Sequence, residues 1–425
     1  MSENFYDKAM RLNRTQSVVT KLSYLTQATG EGDPHHMAVA GTDPKTGESY
    51  GVNLHATNLL NIQESHHTEY LTSPTTALSS NLLTGSGRVE FKLSKTTNRL
   101  KDKHLEITVT NNGAAAVSFT SFDLIEKIDI RMSGSSCELG SYFSDNTYLI
   151  YLSHLDPDQR GVLEMFNMSP TYGVLTPLAA GATQTYYYPI IDILDNVKPV
   201  NAYLNNDITM TVQFRGTRLT SLEASSLAIN PLYIRESHVQ LKPLVEREHM
   251  SVYDGVAHFR SLHPYRETLD QVLTANQVVQ MKLHGIQGSV SHLFVTIVET
   301  PITQATSRTF EPIETLELVG GNGHCEGAVV TGKYNRVIQS SRASFNNHDF
   351  FVQKNVYHIS FAAAPTMDHH GSQTGFSIFD GKEKVKFTMP AIADFPNSGS
   401  TFRITVTALM HSLVEIRQGV MKLHQ

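Results

Sequence analysis

After residue 87 the chain is built of short stretches in which apolar and polar residues alternate. Residues 89–94 and 105–110 alternate at period two, and Asn111-Asn112-Gly113 then supplies a turn. Residues 117–122 and 125–132 follow, and then 183–190, 208–214 and 233–241. Alternation at period two puts successive side chains on opposite faces, so each stretch predicts a half-buried strand. The second half carries the same signal at 278–283, 290–298, 313–319, 356–361, 375–379, 384–389 and 401–409. Helical signals are few. Asp145-Asn146 predicts a cap for a short helix over 147–155, which Asp156-Pro157 then ends. Many short strands and few helices predict an all-β sandwich architecture.

The pattern occurs twice. Ile125-Glu126-Lys127-Ile128-Asp129-Ile130 matches Ile313-Glu314-Thr315-Leu316-Glu317-Leu318 in type, position by position but for Lys127, and each strand leads to a polar turn and a Cys-Glu pair. Ile125 and Ile313 stand 188 residues apart, and so do Cys137 and Cys325. Any two strands share alternation, but the chain has only two cysteines. A second cysteine falls in register by chance about once in several hundred sequences of this length. Val89-Glu90-Phe91-Lys92-Leu93 pairs similarly with Val279-Gln280-Met281-Lys282-Leu283, and Met210-Thr211-Val212 with Ile404-Thr405-Val406. The predicted organisation is an arm over 1–87, one sandwich over 88–242 and its repeat over 243–425, with Lys242-Pro243 interrupting the strand pattern between them.

The first 87 residues differ from the rest. Phe5, Ala9, Leu12 and Val19 fall roughly on one helical face, with Lys8, Arg11, Arg14 and Lys21 around them. A short basic amphipathic helix suits a membrane surface or a partner; a frayed end, or a helix packed on its own domain, fits the short stripe equally well. Residues 30–87 are rich in Gly, Pro, Ser, Thr, Asn and His and predict an extended, irregular connection.

Composition narrows the function classes. At 425 residues, 40% hydrophobic and 17% charged, the chain suits two or three folded domains with substantial cores. A net charge of −6 argues against a general nucleic-acid binder, whose phosphate contacts need a basic surface. Two cysteines make no disulfide framework. No apolar run approaches the ~20 residues of a membrane span, and the N-terminus lacks the apolar core of a signal peptide.

No reaction is legible. Gly320-Gly321-Asn322-Gly323 lacks a following Lys-Ser and reads as a hairpin turn, not a phosphate-binding loop. Asp156-Pro157-Asp158-Gln159-Arg160-Gly161 starts like a calcium loop, but Arg160 holds a ligand position and Asn167 stands where the bidentate Glu belongs. The pairs His35-His36, His66-His67 and His369-His370 are poor chelators, because adjacent side chains diverge. Cys137 and Cys325 lack identifiable partners and read as small residues inherited with a duplicated turn. In Tyr186-Tyr187-Tyr188 two rings share a strand face, which favours core or interface packing over base stacking. No catalytic, metal or cofactor-binding residue is assigned.

Three stretches in chain order carry a family resemblance: Leu105-Glu106-Ile107-Thr108-Val109-Thr110-Asn111-Asn112, Ala116–Phe122, and Pro177-Leu178-Ala179-Ala180-Gly181-Ala182-Thr183 leading into the strands of 186–189 and 207–214. On these residues, over about 105–214, the chain resembles the double jelly-roll major capsid proteins of tailless, membrane-containing icosahedral viruses, the tectivirus, corticovirus and adenovirus-hexon lineage. The resemblance implies an all-β fold of two tandem eight-stranded jelly rolls, with short helices in loops and an N-terminal helix or arm. It implies a structural protein, not an enzyme, whose homotrimers form pseudo-hexameric capsomers of an icosahedral virion assembled in the host cytoplasm. Neighbouring capsomers, penton proteins and minor capsid proteins are the implied partners, without sequence-specific nucleic acid. Lys8, Arg11, Arg14 and Lys21 become candidate inner-face contacts to an internal membrane. A carbohydrate-binding spike or adhesin on two jelly rolls is an alternative reading. A metal-dependent double jelly-roll enzyme is a further one, but it needs His-x-His ligands or clustered acids that the sequence does not display.

Overall fold

The computed structural model describes residues 38–42, 49–53, 64–79, 82–85, 87–93, 99–132, 138–192, 207–215, 218–241, 256–302, 308–320, 329–340, 347–361, 377–417 and 420–424. Lys8, Arg11, Arg14, Lys21, Cys137, Cys325, His35-His36 and His369-His370 lie outside them. A hairpin of β1 (Ala38–Thr42) and β2 (Ser49–Asn53) comes first. Eight strands then form the first sandwich: β3 (Glu64–Thr72), β4 (Arg88–Lys92), β5 (Arg99–Asn111), β6 (Ile125–Met132), β7 (Glu138–Phe143), β8 (Thr183–Pro189), β9 (Ile208–Phe214) and β10 (Leu227–Leu241). They pair antiparallel as two four-stranded sheets, β3-β10-β5-β8 and β4-β9-β6-β7. Counted within the sandwich, the orders are first-eighth-third-sixth and second-seventh-fourth-fifth, which is the jelly-roll winding.

The second sandwich repeats that winding. Its strands are β11 (Val256–Val272), β12 (Val278–Lys282), β13 (Gln287–Glu299), β14 (Thr315–Val319), β15 (Val330–Thr331), β16 (Tyr357–Ser360), β17 (Ser377–Asp380), β18 (Lys384–Thr388), β19 (Thr401–Arg417) and β20 (Val420–His424). The sheets are β11-β19-β13-β16 and β12-β18-β14-β15, with β17 added on β13 and β20 on β19. β6 and β14 are therefore each the fourth strand of their sandwich.

The duplication extends to single core rows. In the first sandwich Val89 and Ile128 flank Val212, and Phe91 and Ile130 flank Met210. In the second, Val279 and Leu316 flank Phe387, and Met281 and Leu318 flank Val385. All twelve of these side chains are buried, and burying one such chain stabilises the fold by about 1.5–3 kcal/mol. The strict inside-outside alternation of β9 and β18 is what makes these rows register-specific.

Several sequence expectations need correction. The match of 210–212 to 404–406 joins strands of different rank: β9 is the seventh of its sandwich and corresponds to β18, whereas β19 corresponds to β10. A shared Thr-Val pattern reports only alternation. Residues 117–122 are not a strand; Val117 makes one bridge to Leu178, and Ser121–Leu124 is a helical turn. Thr120 and Asp123 form a capping box there, with the Thr120 N–H donating to Asp123 Oδ2 at 2.9 Å and its hydroxyl at 2.8 Å. Glu64–Thr72, expected inside an irregular arm, is an edge strand on β10. Val256–Val272 is a 17-residue strand that, among the described residues, pairs with β19 alone. Pro264 is tolerated there because an edge strand leaves one row of N–H groups unused.

Candidate functional site

The two sandwiches meet along a buried seam, and β13 explains how. Nine consecutive residues of β13, Val290–Val298, are buried. One face lines its own core through Leu293, Val295 and Ile297, while Phe294 and Val298 join the core cluster of the first sandwich. A strand covered on both faces reads as a near-continuous apolar run, as this one does. Helix α1 (Ser144–His154), which follows β7, supplies the opposite wall, and helix α2 (His348–Lys354) packs against it. Phe350 of α2 meets Tyr148 at 5.6 Å and Tyr172 at 5.2 Å, both edge to face. Tyr148 continues the chain of rings to Phe122 at 5.4 Å, and Phe122 to Tyr188 at 5.3 Å. Tyr186 and Tyr188 are the buried pair of the three adjacent tyrosines, as alternation on a strand requires.

Asn347 ties the polar groups of this seam together. Its side-chain amide donates to the Leu152 carbonyl at 2.8 Å, and its own oxygen accepts the Tyr172 hydroxyl at 2.7 Å. The same oxygen caps α2 by accepting the Phe350 N–H at 3.3 Å. Nearby, Thr407 of β19 donates to Asn146 Oδ1 at 3.0 Å. Truncation by Asn347→Ala removes a cap and leaves two buried partners unsatisfied, with an expected loss of about 2 kcal/mol in chemical denaturation. Asn347→Ser keeps a cap oxygen without adding charge and should lose less; equal losses would mean that the cap contributes nothing.

Charge is concentrated at the start of α1. Phe143 holds the N-cap position and Asp145 lies in the first turn. Asp145 therefore does not cap the helix, and Asn146 serves Thr407 instead. Asp145 Oδ1 takes Arg218 Nη2, and Arg308 Nη1 at 3.1 Å; Oδ2 faces Arg266 at 3.5 Å and Arg215 at 3.7 Å. Arg218 and Arg308 also reach Asp123 Oδ1, at 3.2 and 3.5 Å. Burial pushes the Asp145 carboxyl up, but Arg218, Arg215, Arg308 and Arg266 outweigh it and hold it well below the usual carboxylate range. Burial lowers Arg215 to about 10 and moves Arg266 in the same direction. Arg308 stacks over Tyr148 at 4.2 Å and Arg266 over Phe143 at 3.6 Å, so both guanidinium planes are held.

Histidines form the third part of the seam. His154 ends α1 and acts electrostatically on His292 of β13, together with His358 and His411. Burial lowers His292 to about 3 and His358 to about 4. His263 of β11, lowered by burial to about 4, packs edge to face on Tyr142 of the first sandwich at 5.3 Å. Gly140 makes room for that contact: its φ is +143°, and a Cβ there would lie 2.8 Å from the His263 ring.

The residues at 156–167 form a 3₁₀ helix, Pro157–Phe166, with Asp156 accepting the Asp158 N–H at 3.1 Å. Asn167 takes a left-handed conformation and donates to the Phe119 and Thr176 carbonyls at 2.7 and 2.9 Å, which accounts for Asn at that position. Among the described residues no group of three or more His, Cys, Asp or Glu is placed to hold a metal ion, and no helix is long and apolar enough to cross a membrane.

No protein-family model matches the sequence, and no curated protein does. Solved structures do. A chain of the PBCV-1 virus capsid superposes with a TM-score of 0.64 at 12% identity, covering 85% of this chain and 96% of that one. PBCV-1 VP54, as fitted into a reconstruction of the virophage Sputnik, gives 0.66 at 12% identity, with coverage of 85% and 96%. The Faustovirus major capsid protein gives 0.57 at 10% identity, with coverage of 96% and 98%. Sheet order, repeated core rows and these superpositions agree: the chain has the double jelly-roll fold that these capsid proteins share.

Proposed function

We propose that this chain is a major capsid protein, a structural subunit of an icosahedral virion and not an enzyme. The observation that carries the reading is the pair of identically wound sandwiches, welded by a buried seam, on a fold likeness that spans 85–96% of the chain. A rigid pair of similar domains is what a lattice subunit needs. Three such chains around one axis present six similar edges, and every edge can bury area against a neighbour. On this reading the subunit is a homotrimer that packs against other capsomers, penton proteins and minor capsid proteins. The chain divides near residues 242–243, and the basic N-terminal segment with Lys8, Arg11, Arg14 and Lys21 faces an internal membrane.

Native mass measurement of the purified full chain at micromolar concentration tests the assembly. A trimer is expected, and negative-stain images should show near-hexagonal outlines. A strict monomer at that concentration would overturn the capsomer reading.

A further inference from the structure

One cavity of about 200 Å³ opens at the seam, lined by Asp145 and by Arg215, Arg218, Arg266, Arg308 and Arg403 among others. Its charges are unevenly matched. Arg403 is held bidentate by Asp270, both contacts at 2.7 Å. Arg218 and Arg308 share Asp123 and one oxygen of Asp145. The other oxygen of Asp145 is left to Arg215 and Arg266 together, at 3.7 and 3.5 Å, beyond the range of a strong charge-assisted bond. Glu126, the remaining acid of the lining, accepts from Gln213 Nε2 at 2.9 Å and acts on Arg215 and Arg266 electrostatically, as a lesser influence than Asp145. Arg218 and Arg308 are buried, and the Nε of each has no hydrogen-bond partner among the described residues. Buried donors of that kind are normally satisfied, so the site is short of acceptors.

We propose that the cavity binds a small tetrahedral oxyanion, inorganic phosphate or sulfate, held chiefly by Arg215 and Arg266. Arg215 comes from the first sandwich and Arg266 from β11 of the second, so one anion bridges both. The Arg266 plane is preset by its stacking on Phe143, and a guanidinium fork matches a tetrahedral oxyanion in two parallel bonds. The volume suffices for the anion and several waters, each taking roughly 30 Å³.

The test uses the full-length protein at pH 7 and constant ionic strength, with phosphate or sulfate exchanged against chloride. Saturable heat of binding in calorimetry is expected, with a melting temperature that rises by about 3 °C at phosphate a hundredfold above its dissociation constant. Chloride should do neither. Arg215→Gln with Arg266→Gln should abolish the response, the anion-free melting temperature serving as the folding control. Arg266→Lys keeps the charge but removes the fork and should weaken phosphate binding about tenfold. Equal responses to chloride and phosphate, or a phosphate response unchanged in these variants, would overturn the proposal.

Discussion

Replacing Asp145 with alanine destabilises the folded chain by roughly 3–5 kcal/mol, the cost of breaking a buried charge network by removing one partner. Four arginines converge on this carboxylate, two of them on each oxygen. Arg218 is 3% exposed and Arg308 7%, so both guanidinium groups depend on carboxylate acceptors more than on water in the intact network. Asp123 remains, but it reaches only Arg218 and Arg308. Arg215 and Arg266 would face each other with no carboxylate between them. Asp145→Asn keeps the shape and loses the charge, and should show most of the same loss. Arg308→Met introduced into the Asp145→Ala background should recover part of it, because the second change removes a stranded cation. Denaturant midpoints of the three variants decide the matter. A loss below about 1 kcal/mol for Asp145→Ala would mean that the arginines are adequately solvated and that the network does not hold the seam.

How much of this was legible in sequence depends on the range of the interactions. Ile208–Phe214 was readable to the residue because every second side chain of β9 enters one core. The row equivalence of Val89 with Val279, and of Ile128 with Leu316, was readable because duplication preserved it. Edge strands were not. β3, with Glu-Ser-His-His-Thr-Glu in its first six positions, carries almost no apolar pattern. β11 has one neighbour among the described residues and tolerates Pro264. The seam was hidden for a different reason. Asp145 looks like a helix cap from its neighbours, whereas its partners Arg218, Arg266 and Arg308 lie 73, 121 and 163 residues away. One signal was present: the apolar run through β13 is too continuous for a strand with one wet face, and it marks a second buried surface.

Acid should loosen this seam first. His263, His292 and His358 are held neutral by burial, with His292 at about 3 and the other two at about 4, against an ordinary value near 6.5. A folded value below the unfolded one means that the unfolded chain takes up protons first. Stability is therefore unaffected above about pH 6.5 and falls as pH drops from there toward 4 and 3. At pH 5 each histidine costs about 2 kcal/mol, and the three together about 6. The carboxyls nearest the seam do not offset this: Asp123 and Asp145 are held low and stay ionised through the window. Glu311, raised by burial, works in the opposite direction, but only as pH nears its own range. The loss is also local. His292 stands within electrostatic reach of His154 of α1, and His263 packs on Tyr142, so new charge appears where the sandwiches touch. Denaturant midpoints at pH 7, 6 and 5 should fall steadily, and amide exchange at pH 5, corrected for the intrinsic rate, should rise first in α1 and α2. His292→Gln should flatten the pH dependence by about a third, whatever it does to stability at pH 7. Midpoints that coincide at pH 7 and 5 would show that these histidines are already solvated in the folded protein, and that the seam is not its acid-sensitive joint.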